Sequence, residues 1–203
     1  MNKKVVIIGA GGHAKVIADI VRASGDVVVG FLDDSYTEPK EFYRSRVIGK
    51  TSDYKEYVCG CSFVIAIGNG GVRKRISSEL ECEWYTAIHP SAVVSDSAKI
   101  GCGTVVMANA VINADAQIGE HVIINTGAIV EHDCQIGNYS HLSPRCAVCG
   151  VTKVGNSVWL GAGSTVMHVL SICDDVILGA GGVVVRNIEE SGTYVGVPAE
   201  KIK

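Results

Sequence analysis

Two places in this 203-residue chain hold side chains able to do chemistry. The first is Glu131-His132-Asp133-Cys134. A histidine titrates close to neutrality, and a neighbouring carboxylate can hold it in one tautomer and favour its charged form once it has taken a proton. His132 with Asp133 is therefore a candidate general base. A lone corner histidine is also compatible with a solvated surface residue, and spacing alone leaves both readings open. A thiol nucleophile is the competing chemistry, with Cys134 nearest. The second place is Gly9-Ala10-Gly11-Gly12-His13-Ala14, a G-x-G-x-x-A turn after the apolar run Val5-Val6-Ile7-Ile8. Such a turn offers backbone N–H groups and a helix N-terminus to an anion. Asp33-Asp34 follows the next apolar run, where a ribose-binding carboxylate would stand, and Gly68-Asn69 closes a third. A dinucleotide, a nucleotide-sugar, or glycines that only make tight turns all fit this pattern. About 85 residues are too few for both halves of a dinucleotide fold, which favours the nucleotide-sugar.

These groups need a scaffold, and the second half of the chain describes it. Read in sixes from Ile88, seventeen consecutive hexads reach Glu189, each opening on an aliphatic residue. The fifth position is mostly small, as at Ala92, Ala110, Ala128, Ser140 and Ser164. A short fixed period of this kind is the signature of a β-solenoid. Ile100-Gly101, Ile118-Gly119, Ile136-Gly137 and Val154-Gly155 recur every eighteen residues, so three hexads make one coil of a triangular prism. With a rise of about 4.8 Å per coil, residues eighteen apart stack on one edge. First positions face inward, which leaves the third, fourth and sixth for solvent or a neighbouring subunit.

That register sorts the remaining candidates. His132 and Asp133 take the third and fourth positions of an outward corner. Gly150 lies one coil away on the same edge, with no side chain to block a ligand and an N–H able to bond a thioester carbonyl. His168 lies a coil further, as surface or groove wall. Ala162 and Ala180 line a groove parallel to the prism axis, suited to a long thin ligand. His121, fourth in its hexad, is expected at the surface, and His89 is expected to be structural. Cys134 and Cys146 fall on inward fifth positions, where cysteine serves as a small hydrophobe. His13 closes the glycine turn, where its ring could meet a phosphate or hydroxyl. Neither the histidines nor the eight cysteines have metal-ligand spacing, so no metal is expected.

Before the hexads, strand-like runs alternate with helical spacing. Val16, Ile17, Ile20 and Val21 predict a helix ending at Ser24-Gly25, Val27 to Leu32 a second strand, and Ser62 to Ile67 a third. Ser35 to Lys50 reads as loop containing a short strand at Val47-Ile48-Gly49. A helix over Val72 to Leu80 carries Arg73, Lys74 and Arg75. The chain thus divides into a Rossmann-like βαβ domain at 1–87 and a β-helix with a C-terminal tail at 88–203. No flexible linker separates them, so they should pack rigidly enough to share a site. The net charge of −3, with Lys and Arg dispersed, argues against a nucleic-acid partner. No apolar run is long enough to span a bilayer and no signal peptide precedes the first strand, which predicts no membrane insertion and a cytoplasmic location.

Taken together, these residues resemble one family. The hexads with Glu131-His132-Asp133-Cys134, Ser140-His141 and Gly196-Val197-Pro198-Ala199 are similar to bacterial hexapeptide-repeat sugar O-/N-acetyltransferases of the NeuD/PglD type. So are Gly9-Ala10-Gly11-Gly12-His13-Ala14-Lys15, Phe31-Leu32-Asp33-Asp34 and Ala66-Ile67-Gly68-Asn69. The resemblance implies a left-handed parallel β-helix, a homotrimer with active sites between subunits, and acetyl-CoA as co-substrate. It implies His132 as general base with Asp133 raising its basicity. His141, Gly150, Ala162 and Ala180 would contact acetyl-CoA, and Gly11, Gly12, His13, Asp33, Asp34 and Gly68 the sugar nucleotide. The activity implied is acetylation of the 4-amino group of a UDP-linked amino-deoxy sugar for surface glycans or glycoproteins. GDP- or dTDP-linked substrates, a sialic-acid-type O-acetyltransferase and a non-catalytic trimeric scaffold are the alternatives. Asp133 stands where some relatives carry Glu, Arg145 where a small residue is frequent, and Val166-Met167-His168 lacks a frequent proline.

Overall fold

The computed structural model describes residues 2–203. Its first part is a five-stranded sheet in the order β3-β4-β2-β1-β5. The strands are β1 (Lys4–Ile8), β2 (Val27–Leu32), β3 (Lys40–Phe42), β4 (Ser45–Gly49) and β5 (Ser62–Ile65), with helices α1 (Gly12–Ala23) and α2 (Gly70–Glu79). All neighbours are parallel except β3 and β4. Alternate residues of β1 serve the two faces of the sheet. Val5 and Ile7 pack toward α1, whereas Val6 and Ile8 pack with Tyr54, Ile76 and Leu80 on the α2 side. The predicted helix-forming residue Val16 is exposed; the buried stripe of α1 is Ala14, Ile17, Ala18, Ile20 and Val21.

One segment departs from expectation. Between Ser35 and Lys50 the short strand expected at Val47-Ile48-Gly49 lies within β4, but β3 and the hairpin turn at Tyr43 and Arg44, φ 42° and 58°, stand where loop was expected. A two-residue hairpin loop with both central residues left-handed ordinarily carries Asn-Gly or Asp-Gly, so Tyr-Arg gave no turn signal.

From Ala87–Ile88 onward the chain is a left-handed parallel β-helix whose two-residue strands pair eighteen residues apart on three flat faces. Inward first-position residues Val106, Ile112, Ile118, Ile124, Val130 and Leu142 form one stacked core with the small fifth-position residues Ala110, Ala128, Cys134 and Cys146. Each fourth position from 103 to 181 is left-handed, among them Asp133, Arg145, Val151 and Val169. Such a conformation costs an L-residue about 1–2 kcal/mol, and the two valines, β-branched, are the least suited to it. The beat fails at the end: Ile172 bridges Ile188 and Val176 pairs with Gly192, sixteen residues on. The hexad expected at Val184 to Glu189 therefore belongs to a shortened last coil, capped by the antiparallel strand Glu200–Lys201.

The three faces differ in their outward rows. On one, Ala87, Val105 and Ile123 are buried beneath α1 and the sheet, in the same core as Val5, Ile7 and Ile17; beyond them the row continues as His141, Trp159 and Ile177. A second is apolar and uncovered: Val93, Val111, Ile129, Ala147, Thr165 and Val183. The third is polar: Lys99, Gln117, Gln135, Lys153 and Ser171.

Candidate active site

The glycine turn, the carboxylate pair and the Gly68-Asn69 loop meet at the C-terminal ends of β1, β2 and β5. Side chains built on Gly11, Gly12 or Gly68 would meet nothing within 4 Å, so the backbone there is open on one side. Asp33 Oδ2 accepts the Ala10 N–H at 2.8 Å and Oδ1 accepts from Ser35 N–H and Oγ. Burial pushes this carboxyl up, but the bonds from Ser35 and Ala10 outweigh it and hold it below the usual carboxylate range. Asp34 Oδ1 accepts the Thr51 N–H at 3.0 Å. Both acids line a cavity of about 200 Å³ with Gly9, Thr51, Val72 and Arg75. Asp33 thus shapes the glycine turn as well as lining the cavity.

His13, at the start of α1, turns inward. Its Nε2 is buried without a partner, and burial, then the charge of Arg73, pushes its pKa down to about 4. His141 lies on the solenoid beside the same loop. Asn125 Oδ1 already accepts the Thr126 N–H, so its Nδ2 donates to His141 Nε2 at 3.1 Å, which places the proton of the neutral ring on Nδ1. That Nδ1 is buried and unpartnered, and burial, Arg73 and His13 together hold the ring near pKa 4. The ring stacks on Trp159 at 5.7 Å and 7°, and the indole N–H donates to Ser143 Oγ at 2.9 Å.

Two cavities meet at this stacked pair. One, about 160 Å³, runs from Gly68, Asn69 and Gly70 to Tyr139 and His141. The other, about 470 Å³, continues past Trp159 and Ile177 to Pro144, Ala162 and Ala180. Ala162 and Ala180 line one groove, as their eighteen-residue spacing implied, and His141 joins it to the cavity beside Gly68. Trp159, 47 % exposed, was not identified from sequence, although it stands eighteen residues from His141 in the same outward row.

His132 and Asp133 lie elsewhere, on the edge between the apolar and polar faces. His132 Nδ1 meets Asp133 Oδ2 at 2.8 Å and both side chains are more than half exposed. With Nδ1 so engaged, Nε2 is the atom able to take a proton. The edge stacks as its spacing predicts: Val151 N–H donates to the His132 carbonyl and Val169 N–H to that of Gly150, each at 3.0 Å. A Cβ on Gly150 would stand 2.7 Å from His132 Nε2, so glycine leaves room for the ring, and the Gly150 N–H takes part in none of the rung hydrogen bonds. Cys134 is fully buried with its thiol against the Cys149 carbonyl at 3.2 Å, and burial raises its pKa. An enclosed, protonated thiol is a poor nucleophile. Among the described residues no group of three His, Cys, Asp or Glu is placed to hold a metal ion.

His121 corrects the register rule. Although fourth in its hexad, it is 2 % exposed, packed edge-on to Trp84 and stacked on Tyr139. Outward there means toward the N-terminal domain rather than toward water. Arg73, also unidentified from sequence as a site residue, fills the same junction at 1 % exposure.

The PglD N-terminal domain family matches residues 4–80, and bacterial transferase hexapeptide repeats match 97–132 and 115–150. The acetyltransferase domain of PglB from Neisseria gonorrhoeae is 35 % identical, with a TM-score of 0.94 over 99 % of this chain and all of that one. PerB from Caulobacter crescentus, solved with CoA and GDP-perosamine, is 40 % identical with a TM-score of 0.92 over 98 % of this chain and 97 % of that one. The chain belongs to the NeuD/PglD-type hexapeptide-repeat acetyltransferase family. The UDP-N-acetylbacillosamine N-acetyltransferase of Bacillus subtilis is 42 % identical over 113 residues, and the match spans about half the length of each chain (52 %). In this family the two halves of the present molecule are thus found together, sheet domain and solenoid alike.

Proposed function

We propose that the chain transfers the acetyl group of acetyl-CoA to the 4-amino group of a nucleotide-linked amino-deoxy sugar, with UDP as the nucleotide. The observation that carries this reading is the groove passing from the open Gly68-Asn69 backbone, beneath His141 and Trp159, to the Ala162-Ala180 edge. It joins a place for a nucleotide-sugar to a place for a long, thin thioester. Residues 1–87 would hold the sugar nucleotide through Gly11, Gly12, His13, Asp33, Asp34 and Gly68, and residues 88–203 acetyl-CoA through His141, Ala162 and Ala180.

His132 stands on a different edge of the same prism from that groove, so one chain by itself does not bring base and groove together. The apolar face that borders His132 supplies a reason to associate: a stripe of this kind loses water contact only against another surface. We infer a homotrimer in which His132 of one subunit faces the groove of the next. The sugar amine, neutral, attacks the thioester carbonyl while His132 Nε2 takes its proton. Asp133 stabilises the imidazolium, and the Gly150 N–H bonds the carbonyl oxygen as it becomes an oxyanion. Collapse of that intermediate breaks the carbon–sulfur bond, and the proton passes from His132 to the departing CoA thiolate.

A coupled-thiol assay over UDP-, GDP- and dTDP-linked 4-amino sugars, with the free sugars as controls, tests the reading. Release of CoA thiol only with a nucleotide-linked amine is expected, most rapidly with UDP. Equal rates on free sugars would redirect it to the O-acetyltransferase alternative. Acetyl-CoA should also raise Tm, as any ligand of the native state must; no shift would favour the scaffold.

A further inference from the structure

Arg73 is buried at 1 % exposure and makes no ion pair among the described residues. A guanidinium has five N–H donors in a fixed fork, and here its three nitrogens bond five backbone carbonyls. Nη1 donates to Ile67 at 3.0 Å and to Gly68 at 2.7 Å, at the end of β5. Nε donates to His121 at 2.9 Å, and Nη2 to Ser140 at 3.2 Å and to Tyr139 at shorter range, all on the solenoid corner. Gly70 completes the junction, since a Cβ there would stand 2.7 Å from the Tyr139 carbonyl.

With its donors committed, Arg73 has none left for a phosphate. Burying the charge without a carboxylate also costs desolvation, which the five hydrogen bonds must offset. What the fork does supply is geometry. Two acceptors belong to the loop beside the open Gly68 backbone, and a third, Ser140, immediately precedes His141.

We propose that Arg73 is a positioning residue for the transfer: it locks the Gly68-Asn69 loop onto the rung carrying His141, fixing the sugar-nucleotide relative to the acetyl-CoA groove. This rests on the two-substrate reading above. Transfer between two bound molecules is sensitive to displacements of a fraction of an ångström, so a loosened junction should slow transfer more than it weakens either domain's own ligand. Lysine cannot replace the fork, having one nitrogen with three donors.

Steady-state kinetics on Arg73→Met, Arg73→Lys and Gly70→Ala, with acetyl-CoA affinity from thermal shift, test this. Loss of roughly tenfold or more in kcat is expected in all three, with the nucleotide-sugar KM and acetyl-CoA affinity nearly unchanged; a rise in that KM with kcat intact would overturn the proposal. A lower Tm with both kinetic constants intact well below Tm would overturn the proposal and leave Arg73 a structural rivet. Should Arg73→Met fail to fold, Gly70→Ala decides, because it wedges the same junction without removing a donor. A wild-type chain inactive on every nucleotide-sugar would instead remove the reading on which this rests.

Discussion

His132 and Gly150 form a pair in which the smaller member sets the position of the larger. Gly150→Ala would place a methyl 2.7 Å from His132 Nε2 and must turn the ring away. Turnover should fall about 100-fold, the scale of a displaced catalytic group, with acetyl-CoA binding by calorimetry retained. His132→Ala should lose roughly 10²–10⁴-fold, the usual contribution of a general base; near-normal turnover in that variant would remove His132 from the mechanism. Three histidines at or near the domain junction make a separate prediction. His13, His121 and His141 are each held near pKa 4 by burial and then by Arg73, below the 6.5 of an exposed ring. Between these values the unfolded chain binds protons that the native one refuses, so stability falls as pH drops from about 6.5 toward 4. Tm at pH 5 should lie several degrees below Tm at pH 7, and His121→Phe should flatten that slope. An unchanged Tm would show that these rings accept protons in the fold.

Among the elements, the edge through Pro144, Ala162 and Ala180 is defined by small side chains on successive coils. Ala180→Leu would fill the groove while leaving the inward core untouched. Acetyl-CoA affinity should weaken about tenfold or more, equivalent to ~1.4 kcal/mol, with the nucleotide-sugar KM measured at saturating acetyl-CoA little changed. Most of these elements were legible in the sequence. Hexads, the eighteen-residue edge joining His132 to Gly150, the glycine turn and the third strand all follow from local periodicity. The β3–β4 hairpin was not, because Tyr43-Arg44 makes its turn without Asn or Gly and tertiary packing overrides the missing signal. Nor was the shortened last coil, where Ile188 bridges Ile172 from sixteen rather than eighteen residues on.

For the whole molecule, the unlike faces of the prism decide how copies should meet. An acidic side chain at Ile129 on the apolar face should convert a trimer to monomers, read by light scattering, and abolish transfer because His132 would lose the neighbouring groove. Gln117→Glu on the polar face serves as the control and should leave both unchanged. A monomeric wild type, or an Ile129→Asp variant that still assembles, would place the subunit contact elsewhere.

Sequence alone determined the architecture of each half. A sixfold repeat can bury its aliphatic positions only by coiling, and a glycine turn between strand and helix can only present its backbone. The local pairings, His132 with Asp133 and with Gly150, are fixed by spacing within one edge. What tertiary structure decided is how the halves meet. Whether an outward position faces water or protein depends on which coils α1 and α2 cover, and no periodicity records that. Hence His121, outward by register, is among the most buried polar residues, and Arg73, one of three basic residues on a short helix, joins two domains through five carbonyls. The separation of His132 from the Ala162–Ala180 edge, by contrast, already follows from spacing, because only residues eighteen apart share an edge; what the fold adds is that the N-terminal domain sets Gly68 and Asn69 beside His141.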